Sequence, residues 1–316
     1  LLVKKNNNQR IRKPYAGKEF LFCMNSLYII GMIEFNNIKK VFKSDLLTQP
    51  FVAIDGLSFK IEKGSITGYL GANGAGKTTS LKILMDFIRP TSGEVLLDTK
   101  YFKNKNDFFK KLGFLPERPF FYPNLTGREF CYYMGKLSGV SKSKINEQVI
   151  KWAPKFAIEF ALDREIKTYS KGMLQRVGFL VTLLHDPEII ILDEPLSGLD
   201  PIGRKELKDV IRLIRNEGKT IFFSSHIVQD VEEVCDSVIF IKSGKLVYQG
   251  SVDDIISENI VLENKVSYEL DGQTHIEMIK ESEKMNFLND LLAKNANIIS
   301  VEKKNPTLEE VFYNVE

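Results

Sequence analysis

From residue 33 onward the apolar and polar positions follow two rhythms. "IEFNNIKKVF" and "AIDGLSFKIEKGSITGYL" mix alternation with β-branched and aromatic residues, which predicts strands. After a glycine-rich break, Leu81, Leu84 and Ile88 recur at helical spacing, with Ile83 and Phe87 beside them, until "RPTSGE" stops the helix. From about Thr126 to Ala161 the pattern is helical and polar-faced. "EIIILDEP" and "KTIFFSSH" are continuous apolar runs, as expected of parallel strands covered on both faces. Strands alternating with helices predict an α/β core around a mostly parallel sheet. Near Ser257 the pattern changes to strand, strand, helix, strand, helix, in "KVSYEL", "THIEMI", "KMNFLNDLLAKN", "IISVEK" and "TLEEVFYNV". The expected division is an extension over 1–31, a main domain over 32–256 and a small α+β unit over 257–316.

Length and composition add bounds. With 316 residues, 43% of them hydrophobic, the chain can bury a full core. The net charge is +3, but residues 1–18 carry six basic side chains and no acidic one, leaving −3 for the rest. The body therefore gives little support for nucleic-acid binding, and no nucleic-acid partner is expected. Cys23, Cys131 and Cys235 are odd in number and scattered, so neither a disulfide framework nor a metal-ligand spacing appears, which suits a reducing cytosol. The apolar stretch "EFLFCMNSLYIIGMIEF" is interrupted by Asn25 and Ser26 and falls short of the roughly 20 apolar residues a spanning helix needs. It follows basic residues, like a signal peptide, yet shows no small-x-small cleavage pattern. The chain opens on leucine, and Met24 and Met32 are candidate native starts. Residues 1–31 are accordingly read as a non-native or loosely ordered extension.

The glycine-rich break is "GANGAGKT", Gly71 to Thr78, which fits G-x-x-x-x-G-K-[ST] between a predicted strand and a predicted helix. Glycines let the backbone wrap a phosphate with its N–H groups inward, and the following helix adds its positive end. Lys77 is expected on the β- and γ-phosphates, and the Thr78 hydroxyl on Mg²⁺. A phosphate loop alone does not separate kinases, GTPases, helicases and transporters. Asp193 ends a buried strand 116 residues after Lys77, where a metal-linked carboxylate belongs, and Glu194 follows as a candidate general base or water-positioning group. Taken alone, "DE" would more simply open a solvated loop, and His226 would be an ordinary loop histidine after an apolar strand.

The flanking segments change that balance. "YSKGMLQRV" (169–177) precedes the carboxylates, "LSGLD" (196–200) follows them, and "FSSH" ends at His226. With these in order, residues 33–255 or so resemble the nucleotide-binding subunit of ABC transporters. The resemblance implies a P-loop ATPase core with a mostly parallel sheet, an antiparallel β subdomain and a helical signature subdomain. It implies ATP and Mg²⁺ as cofactors, and ATP contacts from Phe42 (on adenine), Gly71, Ala72, Asn73, Gly74, Ala75, Gly76, Lys77, Thr78 and Thr79. It implies Ser170, Gly172 and Met173 in the signature, with Asp200 in a loop crossing a dimer interface. Thr78, Asp193 and Glu117 fall at metal-linked positions; Lys77, Glu194 and His226 fall at catalytic ones.

Because a helix N-terminus binds anions, the resemblance has the signature helix of one chain face the γ-phosphate held by another, so two ATPase subunits join head to tail. The sequence departs from the commonest pattern at Lys171, Met173 and Glu117, which replace glycine, glutamine and glutamine. These departures, with "NPTLEEVF" near the C-terminus, resemble single-domain ATPases of exporters of drugs, peptides, lipids or ions. No segment reads as membrane-spanning, so the partner is expected to be a permease on a separate chain, with this subunit on the cytoplasmic face of the membrane. The aromatics around "YPNLTGREFCYYMGKLSGV" are read mostly as core, with one or two lining the permease groove. Glu117 has a second reading, a surface charge paired with Arg118. The alternative function is a soluble ABC-type ATPase with a regulatory, ribosomal or DNA-associated role. Against it stand the single cassette and the 116-residue spacing, which leaves no room for a long coiled coil.

Overall fold

The computed structural model describes residues 20–22, 31–43, 50–258, 263–304, 308, 309 and 312. The first sheet contains β1 (Phe20–Phe22), β2 (Ile33–Phe42), β3 (Phe51–Ile61) and β5 (Ser92–Leu97). Its order is β1-β5-β2-β3, with β2 antiparallel to both neighbours. The remainder of the extension expected over 1–31 lies, apart from Gly31, outside the described residues.

The central sheet is built from β4 (Ile66–Leu70), β6 (Leu112–Leu115), β7 (Ile189–Asp193), β8 (Thr220–Ser225), β9 (Ser237–Lys242) and β10 (Lys245–Ser251). Its order is β10-β9-β4-β8-β7-β6, and every pair except β10–β9 is parallel. All residues of β4, β7 and β8 are buried. Side chains alternate between faces, so Ile190 and Leu192 join one hydrophobic cluster while Ile189 and Ile191 join the other. The apolar runs thus supply two cores at once. The register pairs Leu115 with Leu192, Asp193 with Ser224, and Leu70 with Ser225. Four strands therefore end level, and the loops after them share the carboxyl edge, where open α/β sheets bind ligands.

Helices cover the sheet. α1 (Lys77–Leu84) follows β4, and α2 (Lys105–Lys110) precedes β6. α3 (Gly127–Leu137), α4 (Lys142–Trp152) and α5 (Lys171–Thr182) pack around Phe130, Trp152, Phe156 and Phe179. Thr126 opens α3 with a capping box to Glu129. α6 (Pro201–Asn216) and α7 (Val228–Val234) follow β7 and β8. α1 is shorter than its apolar spacing suggests. It ends at Leu84, and Asp86 turns the chain at φ 58°, leaving Phe87 outside the helix and against Phe114.

α8 (Val252–Glu258) buries Val252 and Ile255 in the main core, so a boundary at 256/257 falls in its last turn. Beyond it, β11 (Glu263–Leu270), β12 (Gln273–Lys280) and β13 (Asn297–Lys304) form an antiparallel sheet ordered β12-β11-β13. α9 (Lys284–Ala293) covers one face, burying Leu291 against Val266 and Tyr268. The helix expected after β13 falls mostly outside the described residues. Leu308 and Phe312 from it pack on the main core, with the Phe312 ring tilted against that of Phe240 at a centroid distance of 4.3 Å. No helix among the described residues is long and apolar enough to cross a membrane.

The close approach of α7 to β4 depends on Gly68. A Cβ there would lie 2.6 Å from Val231 Cγ1 and 2.8 Å from Cys235 Sγ. Gly68→Ala is expected to destabilise the fold by about 1–3 kcal/mol through overpacking. Urea unfolding of the two proteins checks this, and coincident midpoints would contradict it.

Candidate nucleotide-binding site

At the carboxyl edge of the central sheet lies a cavity of about 380 Å³. It is lined by Ala72, Asn73, Gly74, Gly76, Lys77, Thr78 and Thr79 from the loop after β4, by Glu117 after β6, Glu194 after β7 and His226 after β8. The loop needs its glycines. Gly74 and Gly76 adopt φ 83° and 107°, and a Cβ on Gly76 would meet the Ala53 carbonyl at 2.8 Å. The N-terminus of α1 follows directly at Lys77.

Lys77 is 6% exposed and sits at the centre of the arrangement. Its Nζ donates to Gly71 O at 2.6 Å and Ala72 O at 3.4 Å, and lies 3.4 Å from Glu194 Oε1. Glu194 Oε2 is 2.9 Å from His226 Nδ1. Glu194 itself holds φ 50°, a left-handed conformation that costs a non-glycine residue roughly 1–3 kcal/mol. Its N–H donates to Ser224 Oγ at 3.0 Å, and Ser224 Oγ–H donates to Asp193 Oδ1 at 2.6 Å. From the other side, Gln175 Nε2 donates to Pro195 O at 2.8 Å. The turn carrying Glu194 is thus held from β8 and from α5.

Asp193 is buried behind the cavity. Burial raises its pKa, Ser224 opposes the shift, the Glu194 and Glu117 charges push it further up, and Lys77 pulls it down. The oxygens of Thr78, Asp193 and Glu117 are hard donors that fit Mg²⁺, which takes one or two carboxylates and fills its shell with water and phosphate oxygens. No group of three Asp, Glu, His or Cys side chains among the described residues forms a metal cage by itself. Glu117 also lies 3.7 Å from Arg118, whose side chain is almost fully exposed; such a pair contributes about 0–1 kcal/mol.

The other expected contacts lie elsewhere. Ser170, Gly172, Met173 and Asp200 line a second, open concavity of about 450 Å³. Ser170 caps α5 through Met173 N–H at 3.2 Å, and Asp200 caps α6 through Gly203 N–H at 3.1 Å. Phe42 does not line the first cavity. Its cross-strand partner Phe51, 61% exposed, does, together with Ser197. Sequence reasoning passed over Phe51, Ser197, Ser224 and Gln175. Phe51 had one signal, an aromatic just ahead of a predicted strand.

The comparisons with known proteins give the family. The family described as ABC transporter matches residues 54–197. An uncharacterized ABC transporter ATP-binding protein of Synechocystis sp. is 33% identical over 298 residues, covering 89% of this chain and 84% of the relative. The chain belongs to the ABC transporter ATP-binding family. The bacitracin transport ATP-binding protein BcrA of Bacillus licheniformis is 38% identical over 209 residues, covering 66% of this chain and 67% of the relative. Among solved structures, an ATP-binding subunit of an ABC transporter superposes with a TM-score of 0.62 at 25% identity, over 72% of this chain and 92% of that one. A dimeric ATP-binding cassette in a post-hydrolysis state with ADP and Pi shares the fold at a TM-score of 0.61 and 22% identity, over 70% and 98% of the two chains.

Two substitutions around β7 are expected to act in opposite directions. Ser224→Ala leaves the Glu194 N–H without its acceptor and should cost about 1–3 kcal/mol. Asp193→Asn keeps an acceptor for Ser224 and removes a charge that burial disfavours. With its pKa raised above 3.8, Asp193 favours the fold below pH 3.8, and that contribution is lost as pH rises through the folded value. At pH 7 the metal-free Asp193→Asn protein should therefore be at least as stable as wild type, and Ser224→Ala less stable. Denaturation in EDTA checks both, and a destabilised Asp193→Asn would contradict the charge argument.

Proposed function

We propose that this chain hydrolyses Mg²⁺-ATP to energise export through a membrane permease carried on a separate polypeptide, acting at the cytoplasmic face as one of two head-to-tail cassettes. The observation that carries the reading is the division of the ATP-directed residues between two surfaces of one chain. Lys77, Glu194 and His226 converge in one cavity, while Ser170 and Gly172 lie in another. Gly172 sharpens the point. Its φ is unremarkable and a Cβ there would meet nothing closer than 3.6 Å, so the chain's own packing does not demand glycine. Bare backbone that internal packing does not need suits a ligand approaching from outside, here the γ-phosphate held by a second cassette.

Thr78, Asp193 and Glu117 would hold Mg²⁺, which when bound would supply positive charge against the phosphates. The loop N–H groups and Lys77 hold the β- and γ-phosphates. Glu194 accepts a hydrogen bond from the attacking water, and takes up or orients its proton. His226, in hydrogen-bond reach of Glu194, fixes that carboxylate and reaches toward the γ-phosphate. Closure of two cassettes over ATP excludes water, and loss of the γ-phosphate removes the contacts that favour the closed pair. Support for a permease surface comes from Phe120, Tyr122 and Tyr133 next to the Glu117 loop. Phe120 is 77% exposed and packs edge-on to Tyr122, which packs against Tyr133, whereas Phe121 and Tyr132 pack on the core. BcrA is named for bacitracin transport and NatA of Bacillus subtilis, 34% identical over 224 residues, as an ABC transporter ATP-binding protein. Both names suit transport of a cargo.

Glu194→Gln should lower turnover by about 100-fold or more while retaining ATP binding. The trapped nucleotide should then hold a dimer, visible by size-exclusion chromatography in Mg²⁺-ATP. A Glu194→Gln protein that binds ATP yet stays monomeric would contradict the head-to-tail reading.

Glu117→Gln tests the metal assignment. Replacing a charged ligand by a neutral carbonyl should raise the Mg²⁺ concentration needed for half-maximal turnover and leave the fold intact. Superimposable Mg²⁺ titrations would leave Glu117 as a surface charge beside Arg118.

A further inference from the structure

The face of α6 turned toward α7 is basic. Arg204, Lys208, Arg212 and Arg215 recur at spacings of four, four and three, which places them in one row. Each reaches α7 or the residues just after it. Arg204 Nη2 is 3.3 Å from Asp230 Oδ2, and Lys208 Nζ is 2.8 Å from Asp230 Oδ1 and 2.8 Å from Glu233 Oε2. Arg212 Nη2 donates to Glu233 O at 2.6 Å, and Arg215 Nη2 to Asp236 Oδ1 at 3.1 Å. The outer two arginines are exposed, and pairs of that kind are weak. The inner pair is different. The Asp230 side chain is 3% exposed and that of Lys208 9%. Burial disfavours the Lys208 charge, yet the Asp230 and Glu233 carboxylates more than offset this and its pKa lies above the ordinary lysine value.

The inner pair also touches the reaction machinery from behind. Arg204 Nε donates to Leu196 O at 3.4 Å, two residues after Glu194. α7 starts two residues after His226, and Asp200, the N-cap of α6, lines the second concavity. Asp230 is therefore the point where the Glu194 turn, the His226 loop and the Asp200 end of α6 are tied together. A buried ion pair is a poor way to gain stability, since packed apolar side chains serve as well. Its value lies in the single geometry it permits.

We propose that the Asp230–Arg204–Lys208 cluster is a positioning device for hydrolysis, locking α6 to α7 so that Glu194 and His226 keep the relative placement the reaction needs. The proposal rests on the ATPase reading above. Asp230, Arg204 and Lys208 touch no reacting atom, so they act through Glu194 and His226. Misplacing a catalytic group from a distance lowers the chemical step and spares nucleotide binding.

The test compares ATPase kinetics, fluorescent-nucleotide binding and unfolding midpoints of wild type, Asp230→Asn, Asp230→Glu, Arg204→Lys and Arg212→Gln. Asp230→Asn should lower kcat roughly ten- to hundredfold, the scale of a small misplacement of catalytic groups, with KM for ATP near the wild-type value. Asp230→Glu should restore most of the loss. Arg204→Lys keeps the charge but loses the reach to Leu196 O, and should also lower kcat. Combined with Asp230→Asn it should fall no further than the worse single variant, as expected of residues acting as a unit. Arg212→Gln, one turn further along the row and away from Asp230, should keep wild-type turnover. Folded Asp230→Asn with wild-type kcat overturns the proposal. If Asp230→Asn does not fold, Arg204→Lys decides, and wild-type kcat there overturns it. A wild type that binds ATP without hydrolysing it overturns the functional reading and this one with it; an active wild type with a fully active Asp230→Asn overturns this one alone.

Discussion

The Lys77 ammonium lies between two carbonyls of its own loop and the Glu194 carboxylate, and His226 closes the chain on the far oxygen of Glu194. A buried cation and a carboxylate can share so small a space because their charges offset one another. The strands that carry them must end level. The pairings Leu70 with Ser225 and Asp193 with Ser224 deliver that. A slip of one residue would turn Asp193 away from Ser224 and bring an apolar side chain to the edge. The completely buried strands make such a slip prohibitive, since every residue has a face committed to one of the two cores.

The site is costly to the fold, and the surrounding structure compensates. Glu194 keeps a left-handed backbone conformation, held by Ser224 from β8 and by Gln175 at the next carbonyl. Burial and two other carboxylates disfavour the Asp193 charge and raise its pKa. These features suit the proposed Mg²⁺, whose charge would offset the carboxylates. They also explain why α5, α6 and α7 are cross-linked by hydrogen bonds and ion pairs at the back of the turn. A strained turn without such support would relax and carry Glu194 away from Lys77 and His226.

Much of this was legible in the sequence where the signal is local. "GANGAGKT" predicts a loop because only glycine tolerates the backbone it adopts, and "IIILD" predicts a doubly covered strand because every residue is apolar until the last. The family resemblance rests on the order of such local signals. What escaped depends on register or on packing between distant elements. Phe42 and Phe51 are both exposed aromatics on paired strands, and only the placement of β3 beside the glycine loop brings Phe51, with Ala53, to the cavity. Ser224 and Gln175 gain their roles from residues about 30 and 20 positions away. The row from Arg204 to Arg215 reads as an ordinary solvated helix face until α7 is placed against it. α1 ends early because Asp86 turns the chain, although the apolar spacing continues to Ile88.

The central claim is that the two surfaces of one chain meet across two copies around ATP. The most direct test mixes a chain carrying Asn73→Cys with a chain carrying Ser170→Cys and adds a short bismaleimide linker. The account predicts a covalent dimer that forms with Mg²⁺-ATP and a hydrolysis-blocking transition-state mimic, and not in nucleotide-free protein. Linkage that is absent while both chains bind ATP, or equal with and without nucleotide, would contradict it.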